Sequence, residues 1–135
     1  MKNDIPKGMI SKQTSVFIVD DSPIIRERII EKVEMIPSVS NVLQAKDYKS
    51  ANLIIDKETP DIAILDIQLP DGSGIDLLVK IKQKRKETVV IMLTNYPYSI
   101  IRKRCDDLGA DYFFDKSTEF EKLLEVLETE PLAFN

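Results

Sequence analysis

The sequence of 135 residues contains no histidine and a single cysteine, Cys105. The lack of histidine excludes histidine-based catalytic triads, histidine metal ligands and a histidine phosphoacceptor. One cysteine cannot form an internal disulfide, and its scarcity favours a reducing compartment. Because it falls on the apolar face of a predicted helix, Cys105 is interpreted as a core residue and not as a redox group. These absences leave a zinc site without support.

Long apolar runs and an excess of basic charge are also missing. No apolar run is long enough to span a bilayer, and residues 1–15 lack the apolar core of a signal peptide. The net charge of −4 and the sequence pI of about 4.9 argue against nucleic acid as a direct ligand. Two basic runs, 80–86 and 102–104, are interpreted as solvated helix faces. We therefore expect a cytoplasmic protein with no direct contact to nucleic acid or membrane.

Five hydrophobic segments of the chain have the character of β-strands. Residues 16–19, 62–65 and 89–93 are continuous apolar runs, which indicates strands that are covered on both faces. Segments 39–45 and 112–114 are weaker strand candidates. Apolar residues at helical spacing follow each strand, and turn or cap residues separate the segments. The pattern is five strand–helix units, and a hydrophobic content of 43% suits one domain with a full core.

This alternation predicts an α/β fold in which a doubly wound parallel sheet lies between two layers of helices. Because the second and fifth strands are the weakest, we place them at the edges, which gives the flavodoxin-like order 2-1-3-4-5. The domain is predicted over residues 15–129, between a flexible lead-in (1–14) and a tail (130–135). Ser117 or Thr118 is predicted to cap the last helix, and Pro131 to end it.

Polar residues stand where the predicted strands end. Asp20 and Asp21 follow the first strand, Asp66 follows the third, Thr94 the fourth and Lys116 the fifth. In a parallel sheet these ends share one edge, so three carboxylates, one hydroxyl and one ammonium group should converge. At about 4 Å and an effective dielectric near 20, each pair of carboxylates repels by about 4 kcal/mol. A divalent cation offsets this repulsion, and ligands that are all oxygen favour Mg²⁺.

A magnesium ion beside these groups is suited to phosphoryl transfer. The cation and Lys116 would neutralise phosphoryl oxygens, and Thr94 would form a hydrogen bond to one of them. Asp66 is the carboxylate best placed to act as the nucleophile and to form an aspartyl phosphate. For the acidic pair alone, a favourable charge effect at the start of a helix is the alternative explanation.

With these motifs in place, residues 15–129 resemble response-regulator receiver domains of the CheY-like family. The matching motifs are the acidic pair in VDDS, the central acid in LDIQLPDGSG, the hydroxyl in MLTN and the lysine in GADYFFDKS. The resemblance implies that Asp66 accepts a phosphoryl group from a histidine kinase or phosphotransfer protein. It also implies that Asp21, Asp66 and the backbone carbonyl of Gln68 bind Mg²⁺ directly, while Asp20 acts through water.

The resemblance further implies a switch. Lys116 would pair with the acids and then with the phosphoryl group, toward which Thr94 would move. Phe113, which lacks the hydroxyl of a tyrosine, would turn inward behind Thr94. Output would be the binding of a downstream protein effector by the face that the fourth helix, fifth strand and fifth helix form. Such a chain is not an enzyme beyond its own phosphorylation and dephosphorylation, and the sequence leaves homodimer formation open.

Several positions near the predicted site depart from the family pattern or flank the acceptor. Ser117 follows Lys116 at a position where the family has proline after a cis peptide bond. Because a cis bond is costly before serine, the sequence leaves the isomer open. Asn95 could narrow access to the acceptor, and Gln68 and Tyr96 are expected to tune the lifetime of the aspartyl phosphate.

Three other functions are less well supported by the sequence. A degenerate receiver that acts as a constitutive protein-interaction module is the main alternative, for which Asn95 and Ser117 leave room. A phosphatase with an aspartyl nucleophile would carry a second acid two residues after it, where this chain has Gln68. A flavodoxin is disfavoured because Asp20 and Asp21 occupy the loop in which a phosphate would sit.

Overall fold

A parallel sheet of five strands organises the computed structural model, which describes residues 13–133. The strands are β1 (Thr14–Val19), β2 (Val39–Ala45), β3 (Ile62–Asp66), β4 (Val89–Thr94) and β5 (Tyr112–Asp115). Their order is β2-β1-β3-β4-β5, and all neighbouring pairs are parallel. The predicted fold class, strand order and edge strands are therefore confirmed.

The helices lie on both faces of the sheet. They are α1 (Pro23–Val33), α2 (Tyr48–Lys57), α3 (Gly74–Lys84), α4 (Ser99–Asp107) and α5 (Phe120–Ala133). A short antiparallel hairpin, in which Gln68–Leu69 pairs with Gly72–Ser73, leads from β3 into α3. Within the described part of the chain, no helix combines the length and apolarity that a membrane crossing requires.

The absence of polar alternation in β3 follows from its position in the centre of the sheet. Ala63 and Leu65 belong to the core cluster that packs against α2, α3 and α4. Ile62 and Ile64 belong to the opposite cluster, against α1 and α5. Both faces of the strand are therefore buried, as its apolar run predicts. Cys105 is fully buried in the first cluster, which confirms its interpretation as a core residue.

Local sequence signals explain where most helices begin and end. The Ser22 hydroxyl accepts a hydrogen bond from the N–H of Ile25, with Pro23 as the first helical residue of α1. Asp47 caps α2 by accepting from the N–H of Ser50 at 2.8 Å. Gly109 follows α4 with a φ of 100°, a conformation that glycine adopts without strain.

The start of α5 differs from the prediction that Ser117 or Thr118 caps it. The helix begins at Phe120, and the turn before it is held by two acidic side chains. Asp115 Oδ1 accepts from the N–H of Ser117 at 2.8 Å, and Glu119 Oε1 accepts from the N–H of Asp115 at 3.0 Å. The cap prediction is wrong because these acids, and not the hydroxyls of Ser117 and Thr118, organise the turn.

The first and last elements of the described residues are β1 and α5. Thr14 is the first residue of β1, and its N–H donates to the carbonyl of Ser38 at 2.8 Å. The prediction that Pro131 ends the last helix is wrong, since α5 extends to Ala133. The rest of the predicted lead-in, residues 1–12, and residues 134–135 lie outside the described residues.

Candidate functional site

The carboxyl edge of the sheet brings the predicted acidic and basic residues together. Asp20 directly follows β1, Asp66 is the last residue of β3, Thr94 is the last residue of β4, and Lys116 directly follows β5. Asp20, Asp66 and Thr94 are at most 4% exposed, whereas Asp21 is exposed. The site is therefore a buried polar cluster with one acid at its mouth.

Lys116 is held between the two buried acids. Its Nζ lies 2.8 Å from Asp20 Oδ2 and donates to Asp66 Oδ2 at 3.0 Å. Asp66 Oδ1 accepts from the N–H of Gln68 at 3.2 Å, and Asp20 Oδ1 accepts from the N–H of Ser22 at 2.8 Å. The ammonium group of Lys116 is thus paired with one carboxylate oxygen of each buried acid.

Two buried carboxylates beside one ammonium group leave a net negative charge. Burial, together with the charge of Asp20, raises the pKa of Asp66 to about 6, against the opposing effect of Lys116. Burial acts to lower the pKa of Lys116, but its contacts with Asp20 and Asp66 outweigh that effect and raise it. Near neutral pH, Asp66 is therefore mostly ionised, in the form that a nucleophile requires, while Lys116 is charged.

The acidic residues fit a hard divalent cation. Asp20, Asp21 and Asp66 each offer one carboxylate oxygen, and these three atoms lie within 4.8 Å of one another. A ligand set made only of carboxylate oxygens suits Mg²⁺ better than a softer metal. The exposed position of Asp21 leaves the cluster open to solvent, so water can complete the coordination of such an ion.

The loop that follows Asp66 is shaped by a close backbone approach at Gly74. A Cβ at this position would lie 2.0 Å from the carbonyl oxygen of Asp66. The N–H of Gly74 donates to the carbonyl of Ile67 at 2.8 Å, and the Ser73 hydroxyl accepts from the N–H of Ile75. Only glycine allows α3 to begin this close to the acceptor residue, so Gly74 determines the shape of the loop.

The same loop is attached to α2 by Asp71, a contact that the sequence does not predict. The two carboxylate oxygens of Asp71 accept from the N–H groups of Tyr48 and Lys49 at 2.6 and 3.0 Å. Gly72 lies against the ring of Tyr48, where a Cβ would approach the ring to 2.8 Å. Asp71 thus satisfies two free donors at the start of α2, although it is more than 20 residues away in sequence.

Thr94 is engaged by the loop that leads into α4. Its hydroxyl accepts from the N–H of Tyr96 at 2.9 Å, and its carbonyl accepts from the N–H of Lys116 at 2.8 Å. The rings of Tyr96 and Tyr98 stack with their centroids 6.4 Å apart, and Asn95 is exposed. Asn95 and Tyr96 thus belong to the loop that directly follows Thr94, and the Thr94 hydroxyl is bonded to the backbone of that loop.

The peptide bond between Lys116 and Ser117 is trans, since the described residues contain no cis peptide. Ser117 donates to Asp115 Oδ1 through both its N–H and its hydroxyl, at 2.8 and 2.7 Å. A proline has no N–H and could not make the first of these bonds. The turn thus keeps Lys116 in contact with Asp20 and Asp66, although residue 117 is a serine where receiver domains usually have proline.

Phe113 is already buried, with 9% of its surface exposed, in the cluster that contains Met92 and Cys105. The guanidinium carbon of Arg102 lies 4.5 Å from the centroid of its ring. Arg102 itself is exposed, as are Lys103 and Arg104, so run 102–104 is the solvated helix face that the sequence predicts, although Arg102 also contacts Phe113. The same interpretation is wrong for Lys82 in run 80–86, whose side chain is only 16% exposed and donates to the carbonyl of Thr88 at 2.6 Å.

Comparison with known proteins adds independent support for a family assignment. The family model described as response regulator receiver domain matches residues 16–128. Response regulator protein PilR of Pseudomonas aeruginosa is 32% identical over 120 residues, which cover 89% of this chain and 26% of PilR. The chain spans between about a quarter and about half of the length of the first curated relatives it matches.

Solved structures agree with this match. A CheY-like receiver domain protein from Methanospirillum hungatei has a TM-score of 0.78 and 26% identity, with 90% of this chain and 96% of that chain covered. The isolated REC domain of RcsB from Salmonella enterica serovar Typhimurium, determined with phosphomimetic BeF₃⁻, has a TM-score of 0.72 and 27% identity, with 87% and 90% covered. Sequence motifs, strand order and family match agree, and the chain belongs to the response regulator receiver domain family of two-component systems.

Proposed function

We propose that this chain is the phosphoacceptor of a two-component phosphorelay, in which Asp66 takes a phosphoryl group from a histidine kinase or phosphotransfer protein. The observation that carries the proposal is the buried arrangement of Lys116 Nζ, 3.0 Å from Asp66 Oδ2 and 2.8 Å from Asp20 Oδ2. A carboxyl group whose pKa is raised by burial, with a specific charge partner at the sheet edge where ligands bind, has the environment of a functional group. The phosphomimetic used with the RcsB receiver domain fits the same chemistry.

In the proposed reaction, a carboxylate oxygen of Asp66 attacks the phosphorus of a phosphohistidine. A phosphorus–oxygen bond to Asp66 forms as the phosphorus–nitrogen bond breaks, and the departing imidazole takes up a proton. Lys116 Nζ exchanges its contact with the Asp66 carboxylate for one with a phosphoryl oxygen. The Thr94 hydroxyl leaves the N–H of Tyr96 and donates to a second phosphoryl oxygen.

Asp20, Asp21 and Asp66 would hold the Mg²⁺ that receiver domains bind, with the backbone carbonyl of Gln68 as a further ligand. When bound, the cation neutralises phosphoryl oxygens that would otherwise be repelled by the carboxylates. Gln68, Asn95, Tyr96 and Ser117 surround the acceptor, and in the proposal they set access to it and the lifetime of the aspartyl phosphate.

The output surface in this proposal is the face that α4, β5 and α5 form, to which a downstream protein effector would bind. Tyr98 and Ile100, at the start of α4, are 63% and 77% exposed. Thr94 and Phe113 lie beneath this face, so a change at the acceptor can reach it through two side chains. A second copy of the chain could use the same face.

Intact-protein mass spectrometry after incubation with acetyl phosphate and Mg²⁺ tests the proposal. We expect a gain of one phosphoryl group, which is lost with EDTA and in Asp66→Ala. Asp76→Ala, which changes an exposed acid on α3, is the matched control and should behave like the unchanged protein. No gain, together with no response to beryllofluoride, would instead favour a constitutive protein-interaction module.

A further inference from the structure

Arg102 on α4 makes three contacts that connect α4 with β5 and with the turn before α5. Its guanidinium carbon lies 4.5 Å from the centroid of the Phe113 ring, within the range of a cation–π interaction. Its Nη1 donates a long hydrogen bond of 3.5 Å to the carbonyl of Phe113. Its Nη2 lies 3.9 Å from Glu119 Oε1. One side chain therefore contacts the ring, the backbone that carries the ring and the turn that follows it.

These contacts lie close to the acceptor site. Glu119 Oε1, which faces Arg102, also accepts from the N–H of Asp115. Asp115 is the register partner of Thr94, and the N–H of the next residue, Lys116, donates to the Thr94 carbonyl. One short segment of β5 therefore lies between the contacts of Arg102 and the Thr94 hydroxyl and Lys116 ammonium groups of the site.

The guanidinium of Arg102 covers Phe113 at the molecular surface. The ring is 9% exposed, whereas the Arg102 side chain is 49% exposed. For the ring to turn outward, the guanidinium would have to leave it and give up the cation–π contact. The contact therefore favours the buried orientation of the ring. The exposed part of Arg102 lies at the surface directly above the buried ring.

We propose that Arg102 is a positioning residue of the switch, which holds Phe113 in its buried orientation. This inference rests on the proposed function, together with the expectation from the sequence that Phe113 turns inward behind Thr94 when Asp66 carries a phosphoryl group. Because the contact requires the buried ring, Arg102 favours the arrangement proposed for the phosphorylated protein and strengthens the binding of a phosphoryl mimic.

Lys103 offers a matched control on the same helix. Its side chain is 77% exposed, and its ion pair is with Asp107, four residues along α4. Arg102→Gln and Lys103→Gln remove the same charge from neighbouring positions, but only the first removes the contact with Phe113. Arg102→Lys keeps the charge and loses the planar guanidinium, so it separates the two contributions.

The first measurement records the aromatic ¹³C resonances of Phe113 in the protein without added ligand, assigned with Phe113→Leu. We expect the ring resonances to shift in Arg102→Gln, to shift less in Arg102→Lys and to stay in place in Lys103→Gln. A ring spectrum of folded Arg102→Gln identical to that of the unchanged protein would overturn the positioning role.

The second measurement is a beryllofluoride titration in the presence of Mg²⁺. We expect Arg102→Gln to bind beryllofluoride about two- to fivefold more weakly than the unchanged protein, the range that a partly exposed cation–π contact supports. Lys103→Gln should bind as the unchanged protein does, and equal affinities in the two variants would overturn the bias. If the unchanged protein fails to bind beryllofluoride, the proposed function fails and the switch role with it, while the ring spectrum still decides whether Arg102 positions Phe113.

Discussion

The hydroxyl of Thr94 accepts a hydrogen bond of 2.9 Å from the N–H of Tyr96. The same hydroxyl is the group that the proposed reaction directs toward a phosphoryl group on Asp66. It cannot keep its place at Tyr96 if it moves to that oxygen, so the loop loses a bond when the acceptor is occupied. The Tyr96 ring stacks on Tyr98 at the start of α4. Loss of the hydrogen bond to Tyr96 should therefore change the position of this exposed aromatic pair.

Amide exchange at Tyr96 should report this transfer. We expect beryllofluoride with Mg²⁺ to accelerate exchange of the Tyr96 N–H severalfold, because its acceptor leaves. Thr94→Val should accelerate it in the ligand-free protein, and Thr94→Ser, which keeps the hydroxyl, should not. The N–H of Lys116, bonded to the Thr94 carbonyl, is the internal control. Unchanged exchange at Tyr96 in Thr94→Val would show that the hydroxyl does not restrain the loop.

The charge of Asp66 should destabilise the folded protein in the absence of a divalent cation. Burial and the charge of Asp20 raise the pKa of Asp66 from 3.8 to about 6 in the folded state. The folded protein therefore holds a proton that the unfolded chain has lost between these pH values. The contribution of Asp66 to the free energy of unfolding is full below about pH 4 and is lost as the pH rises through about 6, by at most about 3 kcal/mol.

Asp66→Asn should therefore be more stable than the unchanged protein at pH 7.5 in EDTA, by about 1–3 kcal/mol in urea denaturation. The difference should shrink toward pH 4, where Asp66 is protonated in the folded state. Mg²⁺ should stabilise the unchanged protein and have little effect on the variant. Glu87→Gln, at an exposed carboxylate before β4, is the control for loss of a charge. Equal stabilities of Asp66→Asn and the unchanged protein at pH 7.5 would contradict the raised pKa.

Substitution by alanine should affect the protein differently at Gly74 and at Gly109. Gly74→Ala places a Cβ 2.0 Å from the Asp66 carbonyl oxygen, so the backbone that carries Asp66 must move. We expect a loss of about 1–3 kcal/mol in the free energy of unfolding and a clear loss of beryllofluoride affinity. Gly109→Ala meets only the Lys82 side chain, at 3.6 Å, but has a φ of +100°. It should cost about 1 kcal/mol.

Titration of both folded variants with beryllofluoride and Mg²⁺ separates stability from site geometry. Gly109→Ala should keep the affinity of the unchanged protein despite its lower stability. If Gly74→Ala keeps it as well, the close approach of α3 to Asp66 does not determine the geometry of the acceptor.

Short-range patterns are sufficient to predict the sheet and the main acidic site. The apolar run at 62–65 identifies a central strand, because a segment without polar alternation must be buried on both faces. Asp66 and Lys116 then meet because parallel strands end at a common edge, which is a property of the topology. No detail of side-chain packing is needed for either inference.

The sequence does not reveal the contacts that a polar side chain makes with a partner on another element of the fold. Arg102 and Lys82 belong to basic runs that are predicted to be solvated helix faces. Arg102 is exposed as predicted but also contacts the Phe113 ring, whereas Lys82 is mostly buried and donates to the carbonyl of Thr88. The sequence predicts the wrong start for α5 for a related reason. The carboxylates of Asp115 and Glu119 compete with nearby hydroxyls for the backbone donors. In each case several local choices are acceptable, and tertiary packing decides among them.

Asp71 and Asp47 both bind donors at the start of α2 but belong to different segments, so they allow a last comparison. Asp47 is the N-cap residue and accepts from Ser50, whereas Asp71 reaches the N–H groups of Tyr48 and Lys49 from the loop after β3. Either change to alanine should lower the free energy of unfolding by about 1 kcal/mol. Urea denaturation measures this loss.

Only Asp71→Ala should also loosen the loop between Asp66 and α3, since Asp71 anchors that loop to α2. We therefore expect beryllofluoride affinity with Mg²⁺ to fall severalfold in Asp71→Ala and to stay constant in Asp47→Ala. The two variants share the loss of helix stability, so a difference in affinity isolates the effect of the anchor on the acceptor. Equal affinities would mean that the Asp71 carboxylate stabilises α2 and leaves the position of Asp66 to the close approach at Gly74.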